Sequence, residues 1–222
     1  MHLHCPASGR VRAAHGDLQP DLWGVAVTQP ERWTALRQRI AATGLRNSLL
    51  IAIAPTATIA SIAGCYECIE PQVSNLFKRE TMSGEFLQVN NALVTELKAL
   101  GRWNPEVRGE IKRAEGSVQG VAALPEEARQ LFRTAWELPQ RALIDLAAAR
   151  AAFIDQSQSL NLFLAGPSIG KMSSMYLHAW KSGLKTTYYL RSRPATRIQQ
   201  TTVVEAAVAC SLENPESCEA CQ

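Results

Sequence analysis

The chain has 222 residues, 46% of them hydrophobic and 19% charged, which is the balance of a globular protein with a sizeable core and suits one large domain or a piece of a bigger one. A net charge of +3, with 23 basic and 20 acidic side chains spread along the chain and no basic block interleaved with aromatics, argues against a nucleic-acid polymer as partner. No apolar run is long enough to span a bilayer, and the opening "MHLHCPASGR" lacks the layout of a secretory signal, so no membrane partner and a cytoplasmic location are the expectations.

Residues 1–20 show no periodicity and read as an irregular N-terminal arm. "ERWTALRQRIAATG" carries Trp33, Leu36 and Ile40 at helical spacing, with Gly44 as the stop. The apolar run "SLLIAIA" over 48–54 predicts a buried strand, and "PTATIASIAG" over 55–64 follows it with a helix-compatible stretch. In "GEFLQVNNALVTELKALG", over 84–101, Phe86, Val89, Leu93, Leu97 and Leu100 fall on one helical face, and Gly101 is placed to end the helix. "NPEVRGEIKRAEG" predicts a short helix capped by Asn104, with Pro105 in its first turn.

From Pro125 to Ile154 a stripe of Leu131, Ala135, Leu138, Ala142, Leu146 and Ala149 keeps helical spacing, and Pro139 should kink or split it. "SLNLFLA" over 159–165 reads as a strand, "GKMSSMYLHAWKSG" over 170–183 as a helix and "KTTYYLR" over 185–191 as a strand. That order is a βαβ unit, hence a parallel sheet and an α/β fold. Residues 198–222 read as a mobile tail ending in "NPESCEACQ".

Several stretches carry chemistry. A strand running into Thr56, Ala57 and Thr58 ahead of a helix suits an anion: leading N–H groups, hydroxyls and a small residue meet where α/β sheets bind ligands. The alternative is that Thr56 or Thr58 simply caps the helix. Four of the six cysteines form two C-x-x-C pairs, Cys65/Cys68 and Cys218/Cys221. The terminal pair sits 24 residues beyond Pro194, a flexible span of about 27 Å, so it can accept oxidising equivalents in one place and release them in another. Half of a zinc site, completed by Cys65/Cys68, is the rival reading. Cys65 and Cys68 themselves lack a thioredoxin-type setting and are expected to be buried reduced thiols. His178, within an amphipathic helix, is expected to be a satisfied core or surface histidine, and His2, His4 and Cys5 form only an adventitious metal cluster. No metal site is assigned. Tyr188 and Tyr189 stand side by side in a strand-like run. Adjacent strand residues face opposite sides, so one phenol inside and one outside is the plain expectation. Both rings can serve one path only if the strand ends or bends near Tyr189, and "RSRP" after it is compatible with an end.

Taken together, these stretches resemble the C-terminal portion of the catalytic large subunit of class I ribonucleotide reductases, over about residues 21–197 plus the tail cysteines. Trp33, Leu36, Gly44, Leu45, Arg46, Asn47 and Pro55 are similar to a family signature. So are "PTATIASIAG", "ECIEPQVSNLFKRETMSGEF", "FIDQSQSLNLF" and "GLKTTYYLRSRPA", in the same order. The resemblance implies three roles. Thr56, Ala57, Thr58 and Ile59 would bind the diphosphate of a ribonucleotide. Tyr188 and Tyr189 would relay a radical from a partner subunit to an active-site cysteine. Cys218 and Cys221 would re-reduce the active-site disulfide. It also implies reduction of ribonucleoside diphosphates for deoxyribonucleotide synthesis and DNA replication, no cofactor bound directly, a radical supplied by a metal-containing small subunit, and a thioredoxin- or glutaredoxin-type reductant.

The departures are equally specific. The family's effector region for ATP and deoxynucleotides, its radical-bearing cysteine and its reducing cysteine pair have no counterpart before residue 21, and Cys65 and Cys68 do not match the catalytic cysteines. The expected architecture is therefore part of a ten-stranded α/β barrel: arm over 1–20, barrel portion over 21–197, tail over 198–222. Open strand edges then call for a complementing N-terminal part of the large subunit. The competing expectations are a non-catalytic remnant or interaction module and an unrelated dithiol or zinc protein.

Overall fold

A computed structural model describes residues 16–47, 49–81 and 84–193. Residues 1–15 of the arm expected over 1–20, with His2, His4 and Cys5, lie outside the described residues, as do residues 194–222 with Cys218 and Cys221; the last two arm residues, Gln19 and Pro20, are helical rather than irregular.

The chain opens with one turn, α1 (Gln19–Leu22), and a longer helix, α2 (Pro30–Thr43). Pro30 sits in the first turn of α2, and Gly44, at φ +72°, ends it as expected. Residues 49–54 then run extended rather than as a full strand. Asp155 accepts from the Leu50 and Ile51 N–H groups at 2.7 and 2.8 Å, and Ile53 forms a parallel bridge with Gln158. The expected burial fails: Leu49, Leu50 and Ile51 are 51%, 63% and 53% exposed. One side of this segment meets the 155–159 stretch, and no described residue covers the other.

Helix α3 (Ala57–Ala63) follows. The next elements form a region of their own. β1 (Leu76–Thr81) pairs antiparallel with β2 (Gly84–Val89), then come α4 (Asn91–Ala99), α5 (Pro105–Arg113) and α6 (Glu126–Leu131). The expected helix over 84–101 is thus corrected: its first part is the returning strand of a hairpin. Asn90 marks the switch, because its side chain accepts from the Ala92 and Leu93 N–H groups and caps α4. The Asn104 cap of α5 holds as read, with Oδ1 accepting from the Val107 N–H at 2.9 Å. Leu93, Leu97, Val107, Ile111, Val118, Val121, Leu124 and Phe132 close this region's core.

The last region is the expected βαβ unit. α7 (Gln140–Ala151) leads to β3 (Leu162–Leu164), α8 (Ile169–Lys181) and β4 (Leu190–Ser192), with β3 and β4 parallel. Pro139 separates α6 from α7, as its missing N–H and fixed φ require. The expected stripe is displaced, however. Ala142, Leu146 and Ala149 face outward, and Leu143, Ile144, Ala147 and Ala151 are the buried set. Leu143, Ile144 and Ala147 pack with Ala135, Leu160, Leu162, Phe163, Met175 and Ala179 in a second core.

Four helix ends are built alike. At α3, α4, α5 and α8 the residue after the cap region donates to the carbonyl five back: Cys65 to Ala60, Arg102 to Leu97, Gly116 to Ile111 and Leu184 to Ala179. Gly64, Gly101 and Gly183 supply the left-handed turn there, and at α5 it is Glu115, at φ +54°. The described residues therefore make an α/β fold with two small sheets and no closed barrel.

Candidate functional site

The segment from Pro55 to Glu70 is the physical link between the anion-suited loop and the tyrosines. Thr56, Ala57, Thr58 and Ile59 are all exposed, and Ile59 is 69% so. Thr56 precedes α3 in the left-handed region at φ +57°, and neither it nor Thr58 makes a capping bond to the helix. Capping does not explain these hydroxyls. The Thr56 Oγ1 instead accepts from the Cys68 N–H at 3.5 Å, and the Cys68 thiol donates to the Pro55 carbonyl at 3.3 Å.

This placement corrects the expectation of buried thiols. Cys65 is exposed, Cys68 is half-buried, and both are free. The Gly64 turn carries the chain outward just before them. Cys68 also sits in the left-handed region, at φ +64°. Burial, then the charges of Glu70 and Glu67, push its thiol up to about 11. At neutral pH it is a hydrogen-bond donor rather than a nucleophile.

Glu70 and Asn161 were not singled out from the sequence, yet the structure puts them at the centre. Glu70 accepts twice from Asn161: from its backbone N–H at 2.7 Å and from its Nδ2 at 2.8 Å. Asn161 is only 4% exposed, and its Oδ1 accepts from the Tyr189 N–H at 3.3 Å. The one sequence signal available was a polar pair, Asn161 and Glu70, inside otherwise apolar or proline-bounded segments.

The tyrosines meet. Their ring centroids are 4.0 Å apart at 48°, and the Tyr188 hydroxyl donates to that of Tyr189 at 3.1 Å. The alternative of one ring inside and one outside is not what forms: they are 48% and 55% exposed. The expected reason is also corrected. The regular strand does not end at the pair but begins after it, at Leu190. The Tyr188 N–H donates to the Leu160 carbonyl and the Tyr189 carbonyl accepts from the Leu162 N–H, so the backbone already runs beside β3 without a strict pleat. The hydrogen bond to Tyr189, first of all, pushes the Tyr188 phenol above its ordinary value, because ionising would forfeit that donation. Arg191 lies 5.9 Å over the Tyr189 ring.

His178 behaves as a satisfied surface histidine, with its Nε2 2.6 Å from Asp145 Oδ1. Among the described residues no three His, Cys, Asp or Glu side chains are grouped to hold a metal, and no helix is long and apolar enough to cross a membrane.

Comparison with known proteins gives the chain's family. The family profile "Ribonucleotide reductase, barrel domain" matches residues 8–190. The ribonucleoside-diphosphate reductase large subunit of Dictyostelium discoideum is 48% identical over 86% of this chain and 22% of its own length. That of Danio rerio is 41% identical over 98% of this chain and 30% of its own. That of Trypanosoma brucei brucei is 51% identical over 73% and 20%. Among solved structures, the class Id ribonucleotide reductase alpha subunit of Actinobacillus ureae superposes with a TM-score of 0.61 at 30% identity, over 73% of this chain and 30% of that one. The chain thus spans between a fifth and a third of the length of these relatives. It belongs to the ribonucleotide reductase barrel-domain family and corresponds to a C-terminal portion of the large subunit.

Proposed function

We propose that this chain contributes the substrate-phosphate loop, the tyrosine relay and the tail dithiol to the reduction of ribonucleoside diphosphates. The observation that carries the reading is the contact between Tyr188 and Tyr189, tied through Asn161, Glu70 and Cys68 to the Thr56 loop. Thr56 and Thr58 offer hydroxyls, Ala57 leaves room, and the first turn of α3 offers N–H groups to a diphosphate. When one ring is a neutral phenoxyl radical, the other phenol passes it an electron and a proton together along the hydroxyl contact, so the radical changes rings and neither ring carries a positive charge. Cys218 and Cys221 then act by exchange. The ribose 2′-hydroxyl leaves as water, a dithiol beside the sugar gives up two electrons and two protons, and the resulting disulfide is re-reduced by the tail pair. A thioredoxin- or glutaredoxin-type protein restores the tail in turn.

The remaining parts come from outside the described residues: the rest of the barrel with its radical-bearing cysteine, and a metal-containing small subunit that generates the radical. Residues 49–54 and α3 are the edge on which the missing strands would add. Reconstitution tests the reading. The full chain, a complementing N-terminal portion and a small subunit should convert CDP to dCDP. Tyr188→Phe and Tyr189→Phe should each reduce product to background, because phenylalanine cannot lose a proton with its electron. No product from the unsubstituted chain, or full product from either variant, overturns the proposal.

A further inference from the structure

The geometry points to Glu70 as a positioning residue that sets the orientation of the tyrosine pair through Asn161; this rests on reading Tyr188 and Tyr189 as the relay. Three bonds define the arrangement, and each has a fixed direction. Glu70 Oε1 accepts from the Asn161 N–H at 2.7 Å, Oε2 accepts from Nδ2 at 2.8 Å, and Oδ1 of the same amide accepts from the Tyr189 N–H at 3.3 Å. The amide can present its oxygen to Tyr189 only because the carboxylate takes its nitrogen. A carboxylate is acceptor-only, so the sense of the amide is locked.

The position of Glu70 in the chain gives the lock its reach. Two residues earlier, Cys68 touches the Thr56 hydroxyl and the Pro55 carbonyl. The loop suited to diphosphate and the backbone that aims Tyr189 are therefore held by one short segment. Asn161 is buried and Glu70 half-buried, so water competes poorly for these bonds.

Reversing the donor pattern tests the inference without changing the volume of any side chain. In Glu70→Gln, an NH2 group replaces Oε2 and faces the Asn161 NH2 group. The amide must turn its oxygen to Gln, which points a donor at the Tyr189 N–H. Asn161→Asp opposes two carboxylates instead. The double variant restores every bond with the pattern inverted: the Gln NH2 donates to one Asp oxygen, and the other accepts from Tyr189.

Uniform 3-fluorotyrosine in the full chain gives a 19F signal for each of the four tyrosines, assigned by Tyr→Phe variants. The expected result is displacement of the Tyr188 and Tyr189 signals in each single variant, with Tyr176 unmoved, and their return in the double variant. In the reconstituted enzyme, dCDP formation should fall in the single variants and recover in the double. Signals of Tyr188 and Tyr189 that overlay in Glu70→Gln, or that do not return in the double variant, overturn the inference. If a single variant fails to fold, recovery of all four signals in the double sustains it, and a double variant that stays unfolded overturns it. The relay reading fails separately, by product formation in Tyr188→Phe. In that case the fluorine signals still report whether Glu70 orients the pair.

Discussion

The region over 76–132 and the βαβ region with its flanking 49–63 segment bury their apolar side chains in opposite ways. In the first, Leu93 and Leu97 are fully buried, Val107 and Ile111 nearly so, and the elements that cover them are consecutive in the chain. In the second, the inner face of α7 and β3 is closed, but Leu49, Leu50, Ile51, Ile59 and Ile62 remain exposed, Ile62 at 83%. Local helix-to-helix packing completes itself. A parallel sheet needs strands and a covering layer from distant sequence, and an unfinished one shows its apolar edge.

The widest gap between the regions should appear on truncation of a core side chain. Leu93→Ala should cost about 2–5 kcal/mol in urea unfolding, from lost transfer energy and a cavity; a loss under about 1 kcal/mol would mean that the first region is not closed as described. Asn75 joins the hairpin to the helices. Its Nδ2 donates to the Gly116 and Phe132 carbonyls at 3.0 and 2.8 Å, and its Oδ1 accepts from Asn90 at 2.9 Å. Asn75→Ala should cost about 1–3 kcal/mol, because buried partners lose their bonds, and the hairpin amides should lose hydrogen-exchange protection before those of α7 do.

The segment just after the open 49–63 stretch should instead show a titration. The Cys68 pKa rises from 9.0 to about 11 on folding, so the folded state holds its proton where the unfolded state releases it. Stability is unaffected below pH 9 and declines as pH climbs from about 9 toward about 11. Cys68→Ala should remove that component, and an unchanged alkaline profile would contradict the placement of the thiol. The smallest effect belongs to the exposed edge. Ile62→Ser should change stability by less than about 0.5 kcal/mol in the chain alone, while weakening its pairing with a complementing large-subunit portion in a pull-down. A large loss in the isolated chain would show that Ile62 is covered.

How much of this could be read in advance varied with the range of the interaction. Asn104 with Pro105, Gly44, Gly101 and the Pro139 break act within one turn of helix, and each falls where expected. Phe86 and Val89 misled because a spacing of three fits a helix as well as it fits two faces of a strand, and the register Thr81 to Gly84 that makes the hairpin depends on a partner strand. The stripe beginning at Leu131 misled for a related reason: Ala142, Leu146 and Ala149 do share a face of α7, but β3 packs against the neighbouring face. The Ser-Gly pair at 83–84 was the available turn signal.

By itself the sequence determined where α2 and α4 stop, where α5 starts, that Pro139 breaks the chain before α7, and that strand, helix and strand over 159–191 form a parallel unit. Periodicity, caps and chain connectivity act over a few residues, and the family resemblance rests on residues already adjacent in the chain. Only the tertiary structure decided that two neighbouring phenols share a side, that Cys68 reaches back to Pro55, and that Glu70 fixes Asn161 from 91 residues away. Hydrogen bonds between distant residues depend on where packing brings their atoms, and no local pattern encodes that distance.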